Sequence, residues 1–194
     1  MTNRNASKLP NLDEVKTQLL ELARVGQAFV DGDLCRAMLQ PYAETFAGGD
    51  DLDLNPAACV PVKKVLTRLE RLSRVPCSTA IWRRRPDSPD RVEVLLFGAA
   101  SLPGVDKPPV RGYQPPPMFP EIKPSFLRGR TTIHLTPVKN ALAKRGIGQA
   151  VRDVKDDALL RLFAPIRDSM GEIAVVLEIF TAIQKGRAGS RRIA

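Results

Sequence analysis

Between positions 99 and 124 the chain carries eight of its 17 prolines, including Pro108-Pro109 and Pro115-Pro116-Pro117. Proline lacks a backbone N–H and fixes φ, so it breaks helix interiors and central strands. The segment therefore reads as an extended arm or linker with polyproline II character. It divides the 194 residues into two parts with different patterns. The expected organisation is a helical region with a β-hairpin over 1–98, the Pro-rich arm over 99–129, a short strand with C-terminal helices over 130–186, and a basic tail over 187–194.

Before the arm, Leu12, Val15, Leu19, Leu22 and Val25 recur at helical spacing. Asn11 and Glu14 form a loose capping box in front of them. A second helix is predicted over 33–46, burying Leu34, Met38 and Tyr42, with Pro41 inside it. A third is predicted over 61–74, with Val62, Val65, Leu66, Leu69 and Leu72 on its apolar face. The period then changes. Positions 79–84 and 91–97 read as strands around the turn sequence Pro86-Asp87-Ser88-Pro89-Asp90.

After the arm, 131–135 reads as a short strand. Thr136-Pro137 reads as the start of a helix that Gly146 and Gly148 end. Two more helices are predicted, over 149–163 and 165–185. In the last, Ile166, Met170, Ile173, Leu177 and Phe180 step by 4, 3, 4 and 3, as in a coiled-coil seam. It reads as a core helix or a dimerisation helix. The expected fold class is α+β, mostly helical, with a small antiparallel sheet and a winged-helix-like N-terminal half.

Charge gives the functional lead. The chain has 30 Lys and Arg against 21 Asp and Glu, a formal +9. The stretch 63–152 holds 18 basic and 6 acidic residues, and the remainder sums to −3. A concentrated basic stretch suits a phosphate-backbone partner; a solvated Arg-rich surface is the plainer explanation. The candidate contacts are Lys63, Lys64, Arg68 and Arg71 on the third helix and Arg83, Arg84, Arg85 and Arg91 on the hairpin. Successive strand residues alternate faces, so Arg83 and Arg85 should point one way and Arg84 the other. Trp82 either stacks on a base or fills the core.

Helix, helix, basic helix and charged hairpin is also the order of a winged helix. Residues 65–96, VLTRLERLSRV…WRRRPDSPDRVEVLL, resemble the recognition-helix-to-wing segment of MarR-type winged-helix repressors. The resemblance covers about a sixth of the chain. It implies that Lys63, Lys64, Arg68 and Arg71 face DNA and that Arg83, Arg84, Arg85 and Arg91 form the wing. The 47–59 loop is far longer than the turn of a helix-turn-helix. A second candidate helix-turn-helix lies at 140–154.

Motifs for chemistry are missing. There is one histidine, so a two-histidine zinc site is out. His134 sits in Thr132-Ile133-His134-Leu135-Thr136, half of the paired HxT signature of two-histidine phosphoesterases, and reads as a structural strand residue. No GxSxG elbow, phosphate loop or GxGxxG motif occurs. Asp50, Asp51 and Asp53 lie in a loop without a calcium-loop pattern, and Asp153, Asp156 and Asp157 read as a solvated helix face. Cys35, Cys59 and Cys77 form no CxxC pair and suit a reducing, cytoplasmic setting.

No catalytic residue, cofactor or metal is expected, and no membrane partner. The resulting expectation is a non-enzymatic nucleic-acid-binding protein, a transcriptional regulator acting on DNA, with a homodimer as its assembly. The alternative is a structural or adaptor subunit that docks a protein partner through 103–124.

Overall fold

The computed structural model describes residues 11–38, 56–98, 116–137 and 158–183. Its centre is an antiparallel sheet of five strands: β1 (Ser78–Arg84), β2 (Val92–Phe97), β3 (Thr132–Pro137), β4 (Ala158–Arg167) and β5 (Ile173–Ile183). The spatial order is β2-β1-β5-β4-β3. The mostly helical, winged-helix-like class is therefore corrected. The β1–β2 hairpin is one side of a larger sheet, and β1 pairs with β5 along its other edge.

The largest error is at 149–185. The stretch expected to be two helices contains β4 and β5, joined by a tight turn. Asp168 N–H donates to the Glu172 carbonyl, and Asp168 Oδ1 accepts from the Met170 and Glu172 N–H groups. Gly171 adopts φ +81° there, a conformation that suits glycine. The coiled-coil seam dissolves: Ile166, Leu177 and Phe180 are buried in the sheet, while Met170 is exposed in the turn. The spacing misleads for a physical reason. Both faces of β5 are covered, so its apolar residues run on continuously, and periodicity cannot separate that from a buried helix.

Pro137, expected to open a helix, ends β3 opposite Ala158. An edge strand tolerates proline because no neighbour needs its N–H on the open side.

Three helices come from the N-terminal part. Helix α1 (Leu12–Phe29) has the expected cap: Asn11 accepts from Asp13 N–H, and Glu14 accepts from Asn11 N–H. Helix α2 (Gly32–Ala37) is capped by Asp31, which accepts from Leu34 N–H. The predicted continuation of α2 to position 46 lies outside the described residues, as do Tyr42 and the acidic loop at 50–53. Helix α3 (Pro56–Leu72) starts five residues before the expected Pro61, which sits inside it.

These helices cover one sheet face. Val15, Leu19 and Leu22 of α1 and Val62, Leu66 and Leu69 of α3 pack with Ile81, Leu95, Leu162, Val175, Leu177 and Ile179. A Cβ on Gly26 would collide with Leu177, so glycine sets how closely α1 lies on the sheet.

The opposite face is covered by the last part of the Pro-rich segment. Met118, Phe119 and Ile122 pack there with Phe126 of α4 (Lys123–Arg128), against Trp82, Val94, Phe163, Val176 and Phe180. Val92 N–H donates to the Pro116 carbonyl, and Met118 N–H to the Asp90 carbonyl. This part of the segment is thus a cover strapped along β2. Pro124 sits in the first turn of α4, where its missing N–H costs nothing.

Candidate functional site

The pairing of β1 with β5 ends at Trp82 opposite Val176, while its pairing with β2 continues to Arg84 opposite Val92. Beyond Trp82 the two strands part. A cleft of about 790 Å³ opens at that end of the sheet. Its walls come from α2, the β1–β2 turn, α4, the end of β4 and the start of β5. Five arginines line it (Arg36, Arg83, Arg84, Arg85 and Arg167), against one carboxylate, Glu172.

The five are not equivalent. Arg36 Nε lies 2.7 Å from Asp168, and its Nη2 lies 3.2 Å from Glu172. Arg83 Nε donates to Glu93 at 2.6 Å and Nη1 to the Met38 carbonyl at 3.1 Å. Arg85 forks onto Asp87 at 2.7 and 2.8 Å. That bond, with the guanidinium charge, holds the exposed Asp87 carboxyl below its ordinary value.

Arg84 and Arg167 differ from these three. The Arg84 guanidinium lies over the Phe126 ring, 5.9 Å from its centroid. Arg167 Nη1 donates to the Gly171 carbonyl at 2.6 Å. Neither makes an ion pair with a carboxylate among the described residues. Arg167 also lies close to Gly129, where φ is +60° and a Cβ would press on Nη2 at 2.6 Å. Two guanidiniums facing one cleft, without acidic partners among the described residues, can hold an anion through paired charge-assisted hydrogen bonds.

Cys35 also lines the cleft. Burial, with the nearby Asp31 charge, pushes its thiol up to about 12. It is therefore a protonated thiol at neutral pH, without the thiolate a nucleophile needs. Burial likewise raises the Cys59 and Cys77 thiols. Among the described residues, no group of three or more His, Cys, Asp or Glu is placed to hold a metal ion. No helix among them is long and apolar enough to cross a membrane.

The expected nucleic-acid residues do not come together. Lys63 on α3 donates its Nζ to the Phe97 and Gly98 carbonyls at 2.7 and 2.9 Å, at the end of β2. Burial lowers its ordinary basicity. Phe97 pairs with Ala80, whereas Arg84 pairs with Val92, so Lys63 and the three arginines mark opposite ends of the sheet. Lys64, Arg68 and Arg71 are exposed on α3, away from its packed side. Arg91 lies just before β2, in an isolated antiparallel bridge with Pro117.

The wing reading is corrected in detail as well. Arg83 and Arg85 do share a side, but both turn toward Glu93. Trp82 is fully buried, edge-on to Phe119 at 5.4 Å, so it offers no surface for a base. The resemblance to MarR-type repressors, and with it the transcriptional-regulator and DNA-binding reading, does not survive this arrangement.

No family model matches the chain, and no curated protein matches it. Among solved structures it is similar to the GAF domain of A. aeolicus nlh2, crystallised in an inactive state. The identity is 17%, over 88% of this chain and 83% of that one, with a TM-score of 0.34. A likeness of that size decides neither fold nor function.

Arg36 and Arg167 were missed in the sequence. Arg167 falls in the stretch read as helix, and Arg36 sits alone in a short helix. The signal for Arg167 was present: Asp168 to Glu172, with a glycine, lies between two apolar runs, the second of them rich in β-branched residues. That is a hairpin pattern.

Proposed function

We propose that this chain is a binding module for a small phosphate- or carboxylate-bearing molecule, held in the arginine cleft without chemical conversion. The observation that carries the reading is the pair Arg84 and Arg167, which share one cleft and lack acidic partners among the described residues. Arg36, Arg83 and Arg85 are tied to carboxylates and shape the walls. Phe126 and Ile173 add apolar surface beside the charges, as small-molecule sites usually do. Catalysis is left out of the proposal because the lining supplies neither an ionised thiol nor a carboxylate free of an arginine. The buried, unpaired cysteines support a reducing, cytoplasmic setting.

The test is calorimetric titration with inorganic pyrophosphate, alongside citrate to separate phosphate from carboxylate ligands. We expect saturable binding that weakens with salt. The Arg84→Gln/Arg167→Gln variant should melt like the parent and bind at least about tenfold more weakly. No binding to the parent, or equal binding to the folded variant, overturns the reading.

A further inference from the structure

Arg36 is held differently from the other two paired arginines of the cleft. Glu93, the partner of Arg83, is buried in β2. Asp87 takes Arg85 in a two-bond fork at 2.7 and 2.8 Å. Arg36 has two acidic partners of opposite character. The Asp168 side chain is 5% exposed and meets Nε at 2.7 Å. Its Oδ1 accepts from the Met170 and Glu172 N–H groups, so the turn itself holds this carboxylate in place. The Glu172 side chain is 74% exposed and meets Nη2 through one contact at 3.2 Å.

The two contacts do different things. The Asp168 contact fixes the direction of the guanidinium and ties α2 to the β4–β5 turn. A second tie lies beside it: Asp33 accepts from the Ser169 N–H and hydroxyl at 3.1 and 3.2 Å. Gly32 permits the close approach, since a Cβ there would collide with the Arg167 carbonyl. Arg36 therefore keeps its place without Glu172. The Glu172 contact joins two well-exposed side chains, and such a pair contributes little and is screened by salt.

Arg36 and Glu172 line the same cleft as Arg84 and Arg167. A loosely held carboxylate on a firmly placed guanidinium sits where an anionic ligand would sit. We propose that Glu172 is an internal competitor for the anion cleft and that Arg36 is a third anion-binding arginine, reached when the ligand displaces the Glu172 carboxylate. The inference rests on the reading of the cleft as an anion site, and adds a residue whose removal strengthens binding. Glu172 is tethered beside its target, so its effective concentration is roughly millimolar or above. A dilute anion with a single weak contact leaves it in place. A polyanion that also engages Arg84 and Arg167 gains further charge-assisted hydrogen bonds and replaces it.

Calorimetric titration with inorganic pyrophosphate compares the parent, Glu172→Gln, Arg36→Gln and the double variant. The Glu172 side chain is exposed, so Glu172→Gln should melt like the parent. It should bind pyrophosphate about twofold to fivefold more tightly, the range of an exposed ion pair. Arg36→Gln should bind at least about threefold more weakly, the loss of one hydrogen bond. In the Arg36→Gln background, Glu172→Gln should bring no gain, because the contact it relieves is gone. A gain that survives there means that Glu172 acts through its charge on the cleft as a whole, and overturns the proposal. So does a Glu172→Gln variant that binds no more tightly than the parent while Arg84→Gln/Arg167→Gln loses affinity; the anion reading then stands without this addition. Absence of pyrophosphate binding to the parent overturns both. Should Arg36→Gln fail to fold, NMR on the parent takes its place. Pyrophosphate should move the Arg36 Nε–H signal together with those of Arg84 and Arg167, and an unmoved Arg36 signal overturns the proposal.

Discussion

The two faces of the sheet are both buried but differ in what they bury. Under α1 and α3 the contacts are aliphatic: Leu19, Leu22, Leu66 and Leu69 against Ile81, Leu162, Leu177 and Ile179. Under the Pro-rich cover aromatic rings join the aliphatic contacts, and Arg161, Glu178 and Trp82 form a hydrogen-bonded chain among them. An aliphatic layer is stabilised by the area it removes from water, roughly 25 cal/mol per Å². A buried ion pair adds little net stability, because desolvation offsets its attraction. Both faces contribute apolar burial, but the ion pair within the second adds little to it.

The largest expected effect tests this difference. Glu178→Leu leaves Arg161 buried without its counter-charge and should cost about 3–5 kcal/mol in urea unfolding. Adding Arg161→Met should restore much of that loss. On the helix face, Leu66→Ala should cost about 2–5 kcal/mol. Adding Leu69→Ala there should deepen the loss instead of restoring it. If the Arg161→Met/Glu178→Leu pair is as unstable as Glu178→Leu alone, the polar face is structural and the contrast fails.

A smaller effect comes from Cys35, whose thiol is raised from 9.0 to about 12 by burial. Above 9.0 the unfolded chain loses this proton and the folded chain keeps it. Stability is therefore complete below 9.0 and falls as pH rises toward 12. The slope is up to about 1.4 kcal/mol per pH unit for one group. Cys35→Ala should flatten that slope in melts taken on both sides of 9.0. An unchanged slope would mean that the thiol ionises in the folded protein.

How far the sequence could be read followed from which faces are covered. Helix α1 was legible because its cap and apolar stripe have one outer side in water. The β1–β2 hairpin was legible through its turn sequence. Strands β4 and β5 were not, because covering both faces removes the alternation that marks a strand. Only the enrichment in Val175, Val176, Ile179 and Thr181 and the turn at Gly171 separated β5 from a helix. In the cleft, Arg83, Arg84 and Arg85 were singled out for their charge. Apart from Asp87, two residues from Arg85, their partners were not foreseeable, because Glu93 and Met38 reach Arg83 and Arg85 only through strand pairing and helix packing. Arg161 and Glu178 are 17 residues apart, and nothing local joins them.

The most direct test of the account is one NMR titration with inorganic pyrophosphate, following the arginine side-chain N–H signals and the Trp82 indole together. The account predicts saturable shifts at Arg84 and Arg167, with the Arg161 and Trp82 signals still. Shifts at Arg161 and Trp82 with Arg84 and Arg167 unmoved would contradict it, as would no saturable shift at all.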